Sequence, residues 1–281
     1  SDRRSRAEME VNMYKTYTIG ELAKILGITA ETIRYYERKN IIHPQHNASS
    51  GYRYYTTWDL HMLIRARCFL GFGLSIDQTA EILTKSSLSE IDVLLAGQEE
   101  ELEQQVIYQM NLLKKLRQNR ALMQDASDKK HDLSIRMSPA MYRINTQINY
   151  ELILSREEQA EILQMCEKVP FVFSTALFRA EDIQAGNEKF EFGIGIEEQY
   201  ASFLKLDNTP HLQFHPSRQC LYMCVPSRST KLLSYHVLEP AFACMHEHNL
   251  DLAGDIITQI VAMCRPEEEY FNWHNIWIPI V

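Results

Sequence analysis

No run in this 281-residue chain reaches the roughly 18 consecutive apolar residues of a membrane span, and no secretory signal opens it. Six cysteines, at positions 68, 166, 220, 224, 244 and 264, fall in no disulfide-module pattern, so the thiols are expected reduced and the protein cytoplasmic. A Gly-rich phosphate loop, a nucleophile elbow and an HExxH pair are all missing. No catalytic residue, cofactor or metal ligand is therefore assigned, and an enzyme is not expected. Basic residues are also short, 29 Lys and Arg against 37 Asp and Glu. That balance argues against nucleic acid until it is divided along the chain. Residues 14–73 carry eight basic and four acidic groups, whereas 131–281 carry 11 and 20. Opposite signs suggest a DNA-facing head and a body that keeps away from phosphates.

Within the basic head, the stretch from Thr18 to Tyr55 reads as two short helices, a tight turn and a small wing. Thr18 and Glu21 form a capping box, Gly27 suits the left-handed end of the first helix, and Thr29 caps a second helix running to about Lys39. Arg34, Tyr35, Arg38 and Lys39 are the exposed groups that a helix in a major groove needs. Ser49-Ser50-Gly51 is turn chemistry, and Tyr52-Arg53-Tyr54-Tyr55 is a β-prone segment presenting Arg53 beside the second helix. Thr18, Thr29, Arg34, Tyr35, Arg38, Lys39, Arg53 and Tyr54 are the candidate DNA-binding residues. A helical hairpin with tyrosines in its core is the competing reading.

TIGELAKILGITAETIRYYER, then SGYRYY, TTWDL and a helix ending Gly71-Phe72-Gly73-Leu74, resembles the winged helix-turn-helix of MerR-type transcription regulators over residues 16–83. Asn40-Ile41-Ile42 departs from the family's usual Gly-Leu-Leu, a change the fold tolerates because Asn also adopts the left-handed conformation. The resemblance implies a homodimer that binds double-stranded promoter DNA between the elements read by RNA polymerase holoenzyme. It further implies activation by distorting that DNA.

Thr56 with Asp59, and Ser75 with Gln78, should open a third and a fourth helix, with Arg65 or Arg67 as further phosphate contacts or as a solvated face. Ser87 with Glu90 opens a much longer one, to about Asp125 or Ala126. Leu88, Leu95, Leu102, Gln109, Leu116 and Met123 keep a seven-residue register, with Ile91, Val106 and Leu113 beside it, as in a two-stranded coiled coil. Leu88, Leu95, Leu102, Gln109, Leu113 and Leu116 are the expected dimerisation residues; the resemblance implies an antiparallel pairing. The alternative is a long helix packed on its own chain. The expected organisation is a disordered leader (1–13), a winged helix-turn-helix (14–84), a coiled-coil dimerisation helix (87–126), a linker (127–133) and an effector-binding domain (134–281).

In the last part, strands are expected at Thr146–Leu154, Pro170–Phe178, Lys189–Ile196, Gln219–Val225, Asp255–Cys264 and Tyr270–Ile280. Helices are expected at Arg156–Lys168 and from Ser229 or Thr230 to about His248, with Pro240 bending the second. This order suggests a duplicated α+β unit, so the fold class is α+β, with the winged helix-turn-helix and the long dimerisation helix preceding that domain. Element order and the terminal EYFNWHNIWIPI resemble the GyrI-like effector-binding domain of multidrug-sensing MerR regulators. That resemblance implies a small aromatic or hydrophobic effector, cationic or neutral. Tyr150, Tyr222, Asp255, Tyr270, Trp273 and Trp277 are the candidate effector residues, with Asp255 or Glu239 standing in for the Glu that cation-binding relatives carry on the penultimate strand. Two rivals remain, a metal-responsive regulator and a GyrI-like hydrolase domain on a DNA-binding head. For metal, Cys220 and Cys224 on one strand lie about 13 Å apart. Cys244 with His248 could share an ion without a fixed third ligand, and His211-x₃-His215 is the remaining suggestive spacing.

Overall fold

The computed structural model describes residues 16–46, 51–128, 132–152, 155–206, 208–228, 233–265 and 270–281. The expected leader, the Ser49-Ser50 turn, the last two residues of the strand expected at Thr146–Leu154, the helix cap at Ser229 or Thr230 and the middle of the 127–133 linker lie outside these residues. Two compact units divide at Ile107 and Tyr108, inside the long helix rather than at either of its ends.

In the first unit, the Thr18 N–H donates to Glu21 Oε2 (2.7 Å) and the Glu21 N–H to Thr18 Oγ1 (3.2 Å), opening α1 (Ile19–Leu26). Gly27, at φ 64°, ends it in the left-handed region where a Cβ would be strained. Thr29 caps α2 (Ala30–Arg38), and Asn40 follows at φ 58°. Strands β1 (Gln45–His46) and β2 (Arg53–Tyr54) pair antiparallel as the base of the wing. Leu22, Ile33, Ile41, Ile42, Tyr55 and Leu63 are fully enclosed between these elements and α3 (Thr57–Gly71). Tyr55 is therefore a core residue, its hydroxyl donating to the Glu37 carboxylate. Arg67 on α3 is exposed, as expected, and its Nη1 also donates to the Leu26 carbonyl (2.7 Å), closing the end of α1. After α4 (Ile76–Lys85), α5 (Leu88–Asp128) begins at the Ser87–Glu90 capping box. Ile91, Leu94 and Leu95 pack against Phe69, Leu74 and Ile82 of this same unit, so the start of the heptad seam is used within the chain.

The second unit holds the rest of α5 and, among the described residues, one nine-stranded sheet. Its elements are β3 (Ser134–Met137), β4 (Met141–Ile148), β5 (Glu151–Leu152), α6 (Arg156–Cys166), β6 (Val172–Phe178), α7 (Ala180–Gln184), β7 (Glu191–Glu197) and α8 (Glu198–Phe203). They continue with β8 (Gln213–His215), β9 (Gln219–Arg228), α9 (Glu239–His248), β10 (Ile256–Cys264) and β11 (Phe271–Pro279). Strand order is β3-β9-β11-β10-β6-β7-β4-β5, with β8 on β4. The blocks β9-β11-β10 and β6-β7-β4 come from two strand–helix–strand–strand units running in opposite senses across the β10–β6 seam, so the duplication is visible in the topology. Helices α6 and α9 cover one face over two apolar clusters, around Met165 and Ile196 and around Met245 and Ile276. Lys115 and Ala126 of α5 contact the other face, Lys115 at Glu197 and Ala126 at Tyr222 and Trp277, while Tyr108 and Leu112 pack against the cluster around Met165 and Ile196.

Two elements differ from their expected form. The strand expected at Thr146–Leu154 is a hairpin of β4 and β5, because Asn149 takes φ 51° and turns the chain at Tyr150. Pro240 does not bend a helix. It occupies the first turn of α9, where a missing N–H costs nothing, and a 3₁₀ turn at Tyr235–Leu238 precedes it.

Gly193 of β7 is fixed by contact: a Cβ there would stand 2.2 Å from the Ile144 carbonyl oxygen and 3.0 Å from Arg143 Nη2. Gly193→Ala should lower the urea-unfolding free energy by about 1–3 kcal/mol, the range of an overpacked interior. Gly97→Ala, on an exposed stretch of α5 with nothing within 4 Å, should raise it by about 0.5–1 kcal/mol.

Candidate functional site

The exposed side of α2 carries the expected cations, each held by a weak local partner. Glu31 Oε1 and Oε2 accept from Arg38 Nη2 (3.0 Å) and Arg34 Nη1 (3.4 Å), and these bonds, Arg38's first, hold the Glu31 carboxyl below its ordinary pKa. Lys39 Nζ lies 2.5 Å from Asp77 Oδ1, and Arg38 and Lys39 sit 5.6 and 5.9 Å from the centre of the Tyr35 ring. On the wing, Arg53 Nε stands 3.8 Å from Glu37, and Tyr54 is half-buried. Exposed ion pairs of this kind contribute little and exchange readily, so they do not lock these side chains in place. Thr18 and Thr29 spend their hydroxyls as helix caps, accepting from Glu21 and Thr32.

In the second unit, a cavity of about 360 Å³ opens where β3, β4 and β8 meet the ends of β10 and β11. Met141, Phe214, Ile257 and Trp277 form its apolar wall; His215, Arg218, Cys220 and Asp255 supply its polar atoms. Asp255 Oδ1 accepts the Ala180 N–H (2.9 Å) and Oδ2 stands 3.8 Å from Arg179 Nη1. Arg179 itself grips Glu191 through two bonds of 2.9 Å. Behind them Arg143 has no exposed surface; its Nη2 donates to the Glu191 carbonyl (2.5 Å) and its Nη1 to Asn145. Burial pushes Arg143 down to about 10, which leaves it a cation at neutral pH. Burial would raise Glu191, but the bonds and charge of Arg179, then Asn145 and Arg143, hold it below the ordinary carboxylate range.

Of the six residues proposed from sequence, the cavity brings together Asp255 and Trp277. Tyr222 is packed against the Trp277 ring (5.8 Å between centroids), with its hydroxyl bonded to Asn275 (2.8 Å). Trp273 lies further along β11, stacked on Phe271. Tyr270 stands half-exposed beneath Arg265. Tyr150 is at the β4–β5 turn against Phe190 and Phe192, bonded to the Leu233 carbonyl, because the hairpin carries it away from β11. Glu239 is exposed and paired with His236, so it does not approach the cavity. Sequence reasoning missed Arg143, Glu191 and Arg218, and singled out His215 only through its metal-like spacing with His211, which instead pairs with Glu161 (2.7 Å). The available signal was Gly193-x-Gly195, since alternate glycines in a strand mark something large lying against it. Among the described residues no three His, Cys, Asp or Glu side chains gather as a metal set, and the Cys244 Sγ to His248 Nδ1 pair (3.7 Å) has no third member.

His215 is pushed down to about 4 by burial first and by Arg143 second. A histidine depressed on folding contributes stability above its unfolded pKa and loses it as pH falls through the folded value, here between about 6.5 and 4. The urea midpoint of the wild type should therefore fall further than that of His215→Gln between pH 7.5 and pH 4.5. Equal losses would show that His215 is not buried as a neutral ring.

A family profile described as MerR HTH family regulatory protein matches residues 17–86. A probable heavy metal-dependent transcriptional regulator of Haemophilus influenzae is 35% identical over 103 residues, covering 35% of this chain and 80% of that protein. An uncharacterized HTH-type transcriptional regulator of Pseudomonas aeruginosa, PA4778, is 42% identical over 66 residues, 24% of this chain and 50% of that protein. Apart from the Haemophilus protein, the chain spans about half the length of the curated relatives it matches first. The solved EcmrR–DNA complex aligns with 94% of this chain and 99% of that one at 15% identity, with a TM-score of 0.37. On the match through the head and the extent of the Haemophilus relative, the chain belongs to the MerR HTH family of regulatory proteins.

Proposed function

We propose that this protein is a ligand-responsive transcription regulator, an activator that binds promoter DNA as a homodimer and answers a small aromatic or hydrophobic effector. The observation that carries the DNA reading is the head itself. Arg34, Tyr35, Arg38 and Lys39 share one exposed helix side, and Arg53 stands on a short antiparallel ribbon. Two such heads would grip two half-sites, and deforming the DNA between them costs a few kcal/mol that backbone contacts offset. The deformation would act on the promoter elements read by RNA polymerase holoenzyme. The effector contributes only its difference in affinity between the two dimer geometries.

The dimer reading rests on α5. Leu102, Val106, Leu113 and Leu116 are each about half exposed along a helix of 41 residues, about 60 Å long, while Leu112, Lys115 and Gln118 turn toward this chain's own sheet. An exposed apolar stripe at heptad spacing is the form a partner helix covers. The effector reading rests on the cavity, whose size suits a small molecule and whose wall combines Trp277, Phe214 and Ile257 with a few polar groups.

Arg34→Ala and Arg53→Ala should each weaken operator binding and, where the lost contact is to phosphate, reduce the slope of log K against log salt by about one. Wild-type affinity for both across a salt series would mean that another surface meets the DNA. Replacing Leu102 and Leu116 together with Lys should give monomers by sedimentation and lose tight operator binding, since the half-sites are no longer linked. A dimer that survives both changes would show that the stripe is not the interface.

A further inference from the structure

We infer that the cavity beside Trp277 takes a planar aromatic molecule carrying an anionic group, a carboxylate in its simplest form, and discriminates against organic cations. The inference rests on reading this cavity as the effector site and adds the charge of the ligand. Its acidic residue is already satisfied: Asp255 accepts from the Ala180 N–H (2.9 Å) and faces Arg179 at 3.8 Å. A cation seeking that carboxylate must displace Arg179, which is itself locked to Glu191 by two 2.9 Å bonds. The cavity wall instead offers donors. Arg218 is seated on the backbone: its Nη1 donates to the Ala253 carbonyl (2.9 Å), in a space that exists because position 254 is glycine, where a Cβ would stand 2.9 Å from that nitrogen. The guanidinium has five N–H groups in a fork that matches a carboxylate, and the Ala253 bond uses one of them.

His215 adds a second donor. It lines the same cavity, and its Nε2 is buried without a hydrogen-bond partner among the described residues. A buried orphan of this kind is costly unless something fills it. As a neutral imidazole it can hold its proton on Nε2 and donate to a ligand oxygen. The charges it feels are Arg143, Asp255, Arg179 and Arg218, three cations and one anion, so the local field is positive. Buried Arg143 adds its charge to that field without a contact of its own in the cavity. Met141, Phe214, Ile257 and Trp277 provide the apolar wall for the ring.

The test is equilibrium dialysis of the full chain against three probes of one shape: 2-naphthoate, 2-naphthamide and 2-naphthyl-trimethylammonium. Naphthoate should bind about tenfold tighter than the amide, the range of one charge-assisted hydrogen bond, and the ammonium most weakly. Arg218→Gln should remove the advantage of naphthoate while sparing the amide, and unchanged amide binding shows in the same experiment that the variant is folded. His215→Phe should weaken naphthoate more than the amide. Trp277→Ala should weaken all three. Equal affinities, or an ammonium that binds tightest and loses that lead in Asp255→Asn, would overturn the charge assignment. If Trp277→Ala still weakened every probe, the cavity would stand as the binding site. Failure of all three probes to bind at millimolar concentration would overturn both.

Discussion

A guanidinium with no exposed surface sits between β4 and β7, and much of the second unit is arranged to keep it charged. Arg143 reaches the Glu191 carbonyl and Asn145, Asn145 donates to Glu191 Oε2 (2.7 Å), and Glu191 holds Arg179, which faces Asp255. Taking a charge out of water costs several kcal/mol unless close partners replace the solvent, so no member of this chain of contacts is free to move alone. Gly193 follows from the same demand, because any side chain there would strike the Ile144 carbonyl and crowd the Arg143 fork. Gly195 does the same for the Phe173 ring, 2.8 Å from where a Cβ would stand. Asp255 is thus held in place at the cavity edge by structural bonds, and its presence there is no measure of what the cavity binds.

Helix α5 solves a second constraint, since one helix has to serve neighbours on several sides. A sheet face takes residues at one angular position and a partner helix takes another, and 3.6 residues per turn lets both sets interleave. Lys115 is 2% exposed against Glu197, Phe173 and Tyr200, whereas Leu116, the next residue, is 56% exposed. The contrast across one peptide bond shows why a seven-residue register and packing on the same chain are compatible. They are claims about different sides of the helix. Near its start the seam is not free, because Ile91 and Leu95 already cover Phe69, Leu74 and Ile82.

The head was legible because its signals are local. A capping box, a left-handed Gly27 and an Asn40 that can replace glycine each act within four residues, and all take the expected geometry. The duplicated sheet was legible in its element order for a related reason: alternation of apolar residues marks a strand wherever it lies. What alternation cannot carry is which strands become neighbours. Tyr150 and Trp277 look alike as aromatics on strands, yet one lies at a hairpin turn and the other on a central strand beside the cavity. Arg143 and Glu191 are 48 residues apart and look like ordinary surface charges until β4 and β7 pair. The bond from Arg67 to the Leu26 carbonyl was hidden for the same reason, as nothing near Arg67 in sequence points to it.

Since Glu191, Arg179 and Asp255 hold one another and Arg143 lies wholly buried behind them, a ligand gains little by moving them, and its leverage would fall on the segment that carries His215 and Arg218. That segment is tied to the residue following β3. The Ser138 N–H donates to the Arg218 carbonyl (2.8 Å), the Arg218 N–H to Ser138 Oγ (3.0 Å), and Ser217 Oγ to the Ser138 carbonyl (2.6 Å). Strand β3 in turn joins α5 through Arg136, whose Nη1 lies 2.7 Å from Asp125 Oδ2 while its guanidinium covers the Tyr222 ring at 4.0 Å. A ligand that binds differently in two positions of Arg218 therefore acts on β3 first and on the end of α5 next, through bonds already made. A ligand that seats equally well in both positions shifts nothing, however tightly it binds. On the proposed reading of the cavity, potency as an effector would be set by how far the ligand's polar group engages Arg218, and affinity by how well its ring fills the wall at Trp277.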